Sequence, residues 1–198
     1  MGELAFDETT HTYTIDGLRI ANVTEIIAPL GSPMSESLEL VFEAAAERGT
    51  ILHKVLELFL TGDFDIEYPD AYSGYIDAIT LFMTENDITP CQIERPVYNE
   101  FLHYAGTPDL VCFFNGKTTI LDYKFVAQVE KTKVKAQLNA YRLAYESIGI
   151  DIEALYVIQF MDTGKYRLYP VAIGDNEFLL CLELYKLKNK KHSRGRID

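Results

Sequence analysis

The sequence predicts an α/β fold: a mixed central β-sheet flanked by helices on both sides, with a small N-terminal β-hairpin. Three observations predict it. Two apolar runs flank Asn115-Gly116, the dipeptide that most readily takes the positive φ angles of a two-residue type I′ turn. The strands on either side, read over Tyr104 to Phe125, are apolar on both faces except at their open end, as strands are when helices cover them above and below. Around them the patterns run helices, three strands, helix, two strands, helix, which suits a mixed sheet between helical layers. At 198 residues and 48% hydrophobic content the chain can bury one ordinary α/β core and is short for two. A single domain over 1–198 is therefore expected: hairpin and helices in 1–90, a central core in 91–150, and a hairpin, helix and basic tail in 151–198.

Taken in order, Phe6 to Ile20 alternates loosely around Asp16-Gly17 and predicts the N-terminal hairpin. Thr24 is the expected cap of a short helix that ends near Gly31. Ser35 to Leu60 has apolar residues three and four apart and predicts a helix with a break near Gly49, stopped by Thr61-Gly62. Pro69 to Asn86 reads as a further amphipathic helix, and Cys91 to Asn99 as a strand. After the Asn115-Gly116 hairpin, Lys131 to Ser147 is helical and closes at Gly149, placed as a C-terminal cap. Ala154–Met161 and Tyr166–Ile173 flank Asp162-Thr163-Gly164-Lys165 as another hairpin, and Asp175 to Lys190 supplies the last helix.

Charge and cysteine usage narrow the function classes. The formal net charge is −12, which opposes nucleic-acid binding, since phosphate contacts leave a basic footprint. The charges are segregated, however. Residues 186–198 hold six of the eighteen Lys and Arg and one of the thirty acids, and Lys131, Lys133 and Lys135 form a second cluster. These are either solvated ends or a patch that tracks a phosphate backbone. Cys91, Cys112 and Cys181 are odd in number and scattered, so neither a disulfide framework nor a zinc site is suggested. The acidic start resembles no signal peptide and no stretch reaches membrane-spanning length, so a cytoplasmic protein without membrane contact is expected.

The hairpin register can be counted from its turn. If Phe114 pairs with Lys117 and no bulge intervenes, Leu110 faces Leu121 and Asp109 faces Asp122, with Lys124 on the same strand face as Asp122. Opposed carboxylates repel. A divalent cation between them removes the repulsion, and hard oxygen ligands suit Mg²⁺ or Mn²⁺. One or two such ions lower the pKa of a bound water and clamp a phosphodiester, while Lys124 orients the water or offsets charge on phosphorus. The plain alternative is a surface ion pair between Asp122 and Lys124, with Asp109 a loop residue. Upstream, His53 and Glu57 are four apart and share a helix face; Gln137 and Tyr141 do the same on the helix after the hairpin. Each pair alone is also an ordinary helix surface.

Together, in this order and spacing, these residues resemble the PD-(D/E)XK nuclease superfamily, in particular its RecB-like, phage-type exonuclease branch. That pattern is G-x-x-x-H, then G-x-x-D, then D-x-K, then Q-x-x-x-Y. The matches are Gly49 with His53, Gly106 with Asp109, Asp122 with Lys124, and Gln137 with Tyr141. They span about residues 45–145, and Tyr13, Asp16-Gly17 and Val23-Thr24 look like the N-terminal hairpin of phage members. The resemblance implies that Asp109 and Asp122 are the main metal ligands, completed by the Tyr123 carbonyl and His53, and that Lys124 is catalytic. It implies a restriction-endonuclease-like core, and that Gln137 and Tyr141 contact DNA or support the site, with Glu94 where relatives often have an acid; Glu57 is a further supporting candidate from the helix face it shares with His53. Arg48 is a candidate for gripping a terminal 5′-phosphate. A histidine ligand makes Mn²⁺ as suitable as Mg²⁺. Three scattered cysteines cannot supply the four ligands of the branch that carries an iron–sulfur cluster, so no cluster is expected.

The expected activity is a metal-dependent deoxyribonuclease, an exonuclease of phage or prophage-type recombination or repair. By analogy its partners are DNA and a single-strand annealing protein or helicase, and an oligomer is compatible with the family. A non-catalytic DNA-binding or assembly module that keeps the fold is the rival; a structure-specific endonuclease and an RNA nuclease stand behind it.

Overall fold

The computed structural model describes residues 2–31, 39–63 and 67–193. In chain order its elements are β1 (Leu4–Asp7), β2 (Thr12–Ile15), β3 (Leu18–Asn22), α1 (Val23–Ile27), α2 (Glu39–Thr61), α3 (Ser73–Glu85), β4 (Ile88–Ile93), β5 (Val97–Asn99), β6 (Tyr104–Gly106), β7 (Leu110–Phe114), β8 (Lys117–Lys124), α4 (Lys131–Ser147), β9 (Ala154–Phe160), β10 (Tyr166–Pro170) and α5 (Asn176–Ser193). The main sheet has the order β10-β9-β8-β7-β4, mixed because β8 and β9 run parallel and the other pairs antiparallel. A second sheet has the order β1-β2-β3-β6-β5.

The hairpin forms on the counted register. Asn115 and Gly116 take φ of 50° and 76°, and Phe114 faces Lys117 through to Leu110 facing Leu121. Alternation then sorts the side chains. Val111, Ile120 and Val157 face a core shared with α1, α4 and α5. Leu110, Leu121, Tyr123 and Phe160 face the other core, built with α2 and α3. Both faces are thus covered, which is why these strands carry no polar stripe. Among the described residues no helix is long and apolar enough to cross a membrane.

Four expectations are corrected. The run Tyr104 to Phe125 is not one hairpin, because Tyr104–Gly106 belongs to the second sheet as β6 and only Leu110–Lys124 forms the β7–β8 hairpin. Likewise Cys91 to Asn99 is split: β4 pairs with β7 and β5 pairs with β6, with Glu94-Arg95-Pro96 between. Proline at 96 lacks the N–H that a continuous strand would use. The cap of α1 is Asn22, not Thr24; its side chain accepts from the Glu25 amide in a reciprocal capping box with Glu25. Finally, α2 runs through Gly49 unbroken. An interior glycine costs only about 1 kcal/mol relative to alanine, which the packing of Leu52, Val55 and Leu56 on the sheet outweighs. The expected helix start at Ser35, and Arg194 and Arg196 of the basic tail, lie outside the described residues.

Candidate active site

The two sheets part at one corner, and the chain crosses it twice. Glu94-Arg95-Pro96 leads from β4 to β5, and Thr107-Pro108-Asp109 leads from β6 to β7. A bond from the Glu94 amide to the Asp109 carbonyl, 3.0 Å, ties the two crossings together. Just before it a bulge at Cys91 shifts the register of β4, and Glu94 itself adopts φ of 43°, unusual for a residue with a Cβ. Backbone in this region is retained where surroundings enforce it, and such positions cluster at functional sites.

Asp109 stands one residue beyond the last paired position, as the register count requires. Its Oδ2 accepts from the Tyr123 amide at 2.7 Å, which anchors the carboxylate against β8. Asp122 is 1% exposed. Its Oδ1 has no hydrogen-bond partner, and its Oδ2 lies 2.7 Å from Lys124 Nζ without the alignment of a directed hydrogen bond. An unpaired buried carboxylate oxygen is costly. From α2, His53 places Nδ1 at 3.8 Å from both Asp109 Oδ1 and Glu94 Oε1. Its ring packs against those of Tyr123 and Phe125, at centroid distances of 5.9 and 5.5 Å.

The charges act on one another. Burial pushes the Asp109 carboxyl up to about 6, with the Asp122 charge adding to the rise and His53 opposing it. Burial disfavours the Lys124 ammonium, but Asp122 and Asp109 outweigh it and raise its pKa. For His53 burial is again the largest influence and again loses, here to Asp109 and Glu94, so its pKa is raised. The fit to a divalent cation rests on the orphaned Asp122 oxygen and on a donor set of carboxylates and one imidazole, which suits Mg²⁺ or Mn²⁺. Among the described residues, no three His, Cys, Asp or Glu side chains already converge as a closed cage. Mg²⁺ needs none, since it keeps several waters and takes one or two carboxylates.

Comparison with protein-family models finds no match, and comparison with curated proteins finds none. Among solved structures the chain is similar to SSO0001, at 17% identity and a TM-score of 0.45, over 83% of this chain and 72% of that one. It is also similar to an alkaline exonuclease, LHK-Exo from Laribacter hongkongensis, at 15% identity and a TM-score of 0.38, over 88% of this chain and 94% of that one. A second structure of LHK-Exo, in complex with dAMP, gives 13% identity and a TM-score of 0.37 with the same coverage. At these values the functional reading stands on the site itself.

The remaining sequence candidates divide. On α4, Gln137 Nε2 donates to the Tyr141 hydroxyl at 3.1 Å, and Tyr141 is buried against Gly106. Burial raises the Tyr141 pKa, the bond from Gln137 lowers it, and Asp122 and Asp109 add to the rise, so the phenol shares the field of the carboxylates. Arg48 is engaged within the chain: Nη2 donates to the Phe125 carbonyl at 3.0 Å and the guanidinium lies 5.6 Å over the Tyr75 ring. Glu57 pairs with Lys54 at 2.5 Å, and the acids that face His53 are Glu94 and Asp109. The amide of Tyr123 meets Asp109, whereas the proposed ligand is its carbonyl.

Sequence reasoning missed the support beneath the site. The Tyr13 and Thr107 hydroxyls share a 2.8 Å hydrogen bond, and Val23 packs on Gly106, so β2 and the start of α1 hold the Gly-Thr-Pro-Asp turn in place. Tyr104 Oη donating to the Ala140 carbonyl and Asn99 Nδ2 donating to the Leu143 carbonyl fix α4 over the second sheet. In the sequence Tyr13 and Val23 stand apart as resembling the N-terminal segment of phage members, and the polar Thr107 between Gly106 and Pro108 hints at a partner, but nothing joins the two.

Proposed function

We propose that the protein is a metal-dependent deoxyribonuclease of the PD-(D/E)XK type, working from the ends of linear DNA. The observation that carries this reading is the buried Asp122 carboxylate, left without a hydrogen bond on Oδ1 and set beside Asp109 and Lys124. Asp109 and Asp122 would hold the cation, with His53 and the Tyr123 carbonyl completing the ligand set and Glu94 supporting it beside His53. A divalent ion held by these residues would supply a water of lowered pKa and positive charge for the phosphoryl oxygens. Lys124, kept charged by the two aspartates, orients the nucleophile and offsets charge that grows on phosphorus in the transition state. Gln137 and Tyr141 form a hydrogen-bonded pair that positions the strand and supports the Gly106–Asp109 turn.

The deciding experiment is nucleotide release from a linear duplex, with a covalently closed circle as control. Digestion of the linear DNA in Mg²⁺ or Mn²⁺, an intact circle, and no release in EDTA are expected. The net charge of −12 is compatible with one other reading, a non-catalytic DNA-binding or assembly module that keeps the fold. A protein that binds DNA equally well in EDTA and never cuts it would establish that reading instead.

Metal binding is expected to depend on pH in a definite direction. The Asp109 carboxyl has a raised pKa in the fold, so its protonated form contributes stability below about pH 4, and this is lost as pH rises through about 6. A cation competes with that proton. The rise in Tm produced by saturating Mn²⁺ is therefore larger at pH 8 than at pH 5. At about 100 times Kd the gain is about 2.7 kcal/mol, or roughly 5–10 °C for a domain of this size. Equal shifts at both pH values would remove Asp109 from the ligand set.

A further inference from the structure

The sheet face that carries the candidate site continues beyond it. Partnered residues across β8, β9 and β10 form two rows, Lys124–Gln159–Arg167 and Asp122–Val157–Tyr169. Partnered side chains on neighbouring strands point to the same face. Lys124 and Arg167 are therefore two strand spacings apart at their Cα atoms, about 10 Å. Over the outer part of this face, the first turns of α4 and the segment 127–129 enclose a cavity of about 400 Å³. Its floor is apolar, with Val134, Val157 and the Tyr169 ring, and Lys131, Lys135 and Arg167 supply positive charge. The chain has thirty acids against eighteen bases, yet no Asp or Glu lines this cavity among the described residues.

The walls are held before any ligand arrives. Gln159 Nε2 donates to the carbonyls of Val126 and Ala127, at 2.8 and 3.0 Å, and Gln159 Oε1 accepts from the Tyr169 hydroxyl at 3.1 Å. That amide fixes both the segment leaving β8 and the edge of the Tyr169 ring. Lys135 shares its charge with Glu177 at 2.6 Å, whereas Lys131 and Arg167 have no ion pair among the described residues.

We propose that this cavity is a nucleotide subsite. It takes the nucleoside monophosphate unit next to the scissile phosphate, with Arg167 and Lys131 at a phosphate and Tyr169 and Val157 against the base. The assignment rests on the nuclease reading, because a strand lying over Asp122 and Lys124 is what brings a nucleotide to the neighbouring strands. The volume falls within the range of small-ligand pockets, about 300–1,000 Å³. Cations beside an aromatic and aliphatic floor match a unit that is anionic at one end and flat and apolar at the other. The same chemistry arrives either as a flanking nucleotide of the strand or as a released mononucleotide.

Calorimetric titration of the full chain in EDTA, where no cleavage occurs, tests the proposal. The probes are thymidine 5′-monophosphate, thymidine, inorganic phosphate and an eight-residue oligothymidylate. Thymidine 5′-monophosphate is expected to bind with Kd of about 1 mM or tighter. Arg167→Ala weakens it about tenfold or more. Tyr169→Leu weakens the nucleotide about fivefold or more and leaves phosphate binding unaltered. Lys117→Ala, which removes one charge at the hairpin turn, controls for net charge and changes nothing. Parallel losses for the oligonucleotide identify a strand subsite; losses for the mononucleotide alone identify a product subsite. Nucleotide binding that is absent, or indifferent to both variants, overturns the proposal. Failure of the nuclease reading shows separately, as DNA left uncut in Mg²⁺ and Mn²⁺.

Discussion

Asp122→Asn is expected to lower the rate of nucleotide release at least about 10³-fold while leaving the fold in place. The substitution keeps the shape of the side chain and removes its charge, and with that charge goes the main attraction for a divalent cation. A loss of about 10³ corresponds to about 4 kcal/mol of transition-state stabilisation, within reach of one charged group in a site of this kind. The fold has little to lose: Oδ1 makes no hydrogen bond, Asp109 still faces Lys124 when the ion pair with Asp122 is gone, and the repulsion between the two carboxylates is relieved. The expected change in Tm in EDTA is therefore a few degrees at most. Wild type gains Tm with Mn²⁺ and Asp122→Asn does not. A variant that digests DNA within tenfold of wild type would show that the buried carboxylate serves some other end.

Gly106→Ala is expected to destabilise the protein and to impair the site at once. An added Cβ would stand 2.6 Å from Tyr141 Cε1 and 2.9 Å from Val23 Cγ2. Neither neighbour yields easily: Tyr141 is buried and held by Gln137, and Val23 is β-branched and buried in the first turn of α1. Overpacking of this kind costs about 1–3 kcal/mol, or roughly 2–12 °C in Tm. The displaced backbone leads directly into Thr107-Pro108-Asp109, so activity falls further than stability explains. Removing the obstructing ring tests the cause. If the clash with Tyr141 is responsible, Gly106→Ala costs less in a Tyr141→Ala background than in wild type. Purely additive losses would place the strain elsewhere.

The contact explains two motif positions together. From the chain alone, Gly106 and Tyr141 are unrelated letters in separate segments, and the pattern G-x-x-D followed by Q-x-x-x-Y carries no reason for its glycine. In the fold the glycine is the space the tyrosine ring occupies, with the Gln137 side chain on its hydroxyl. The requirement is steric and depends on how α4 lies over β6.

Local chemistry made much of the protein legible. Asn115-Gly116 takes positive φ at both positions, and that alone sets the register that brings Asp109 to the end of the ladder beside Asp122 and puts Lys124 on the Asp122 face. Helix periodicity located α3, α4 and α5 within a few residues, and the two-faced apolar character of β7 and β8 required helices on both sides. These features depend on dihedral preference and on alternation along a few residues, which the sequence carries in full. The division of one apparent strand between two sheets is different. It needed the second sheet to exist, since Val97–Asn99 and Tyr104–Gly106 find their partners in each other and in the N-terminal β3. Glu94 acquired its left-handed backbone, and the Tyr13–Thr107 bond its place beneath the site, from the same long-range pairing. So the sequence by itself determined the hairpin and the residue types that suit a cation and a phosphodiester. Tertiary structure alone decided which of them meet: His53 with Asp109 and Glu94, Tyr141 with Gly106, and Arg48 with the Phe125 carbonyl and the Tyr75 ring. Contacts between distant segments follow from packing and sheet pairing across the whole chain, and no local preference encodes them.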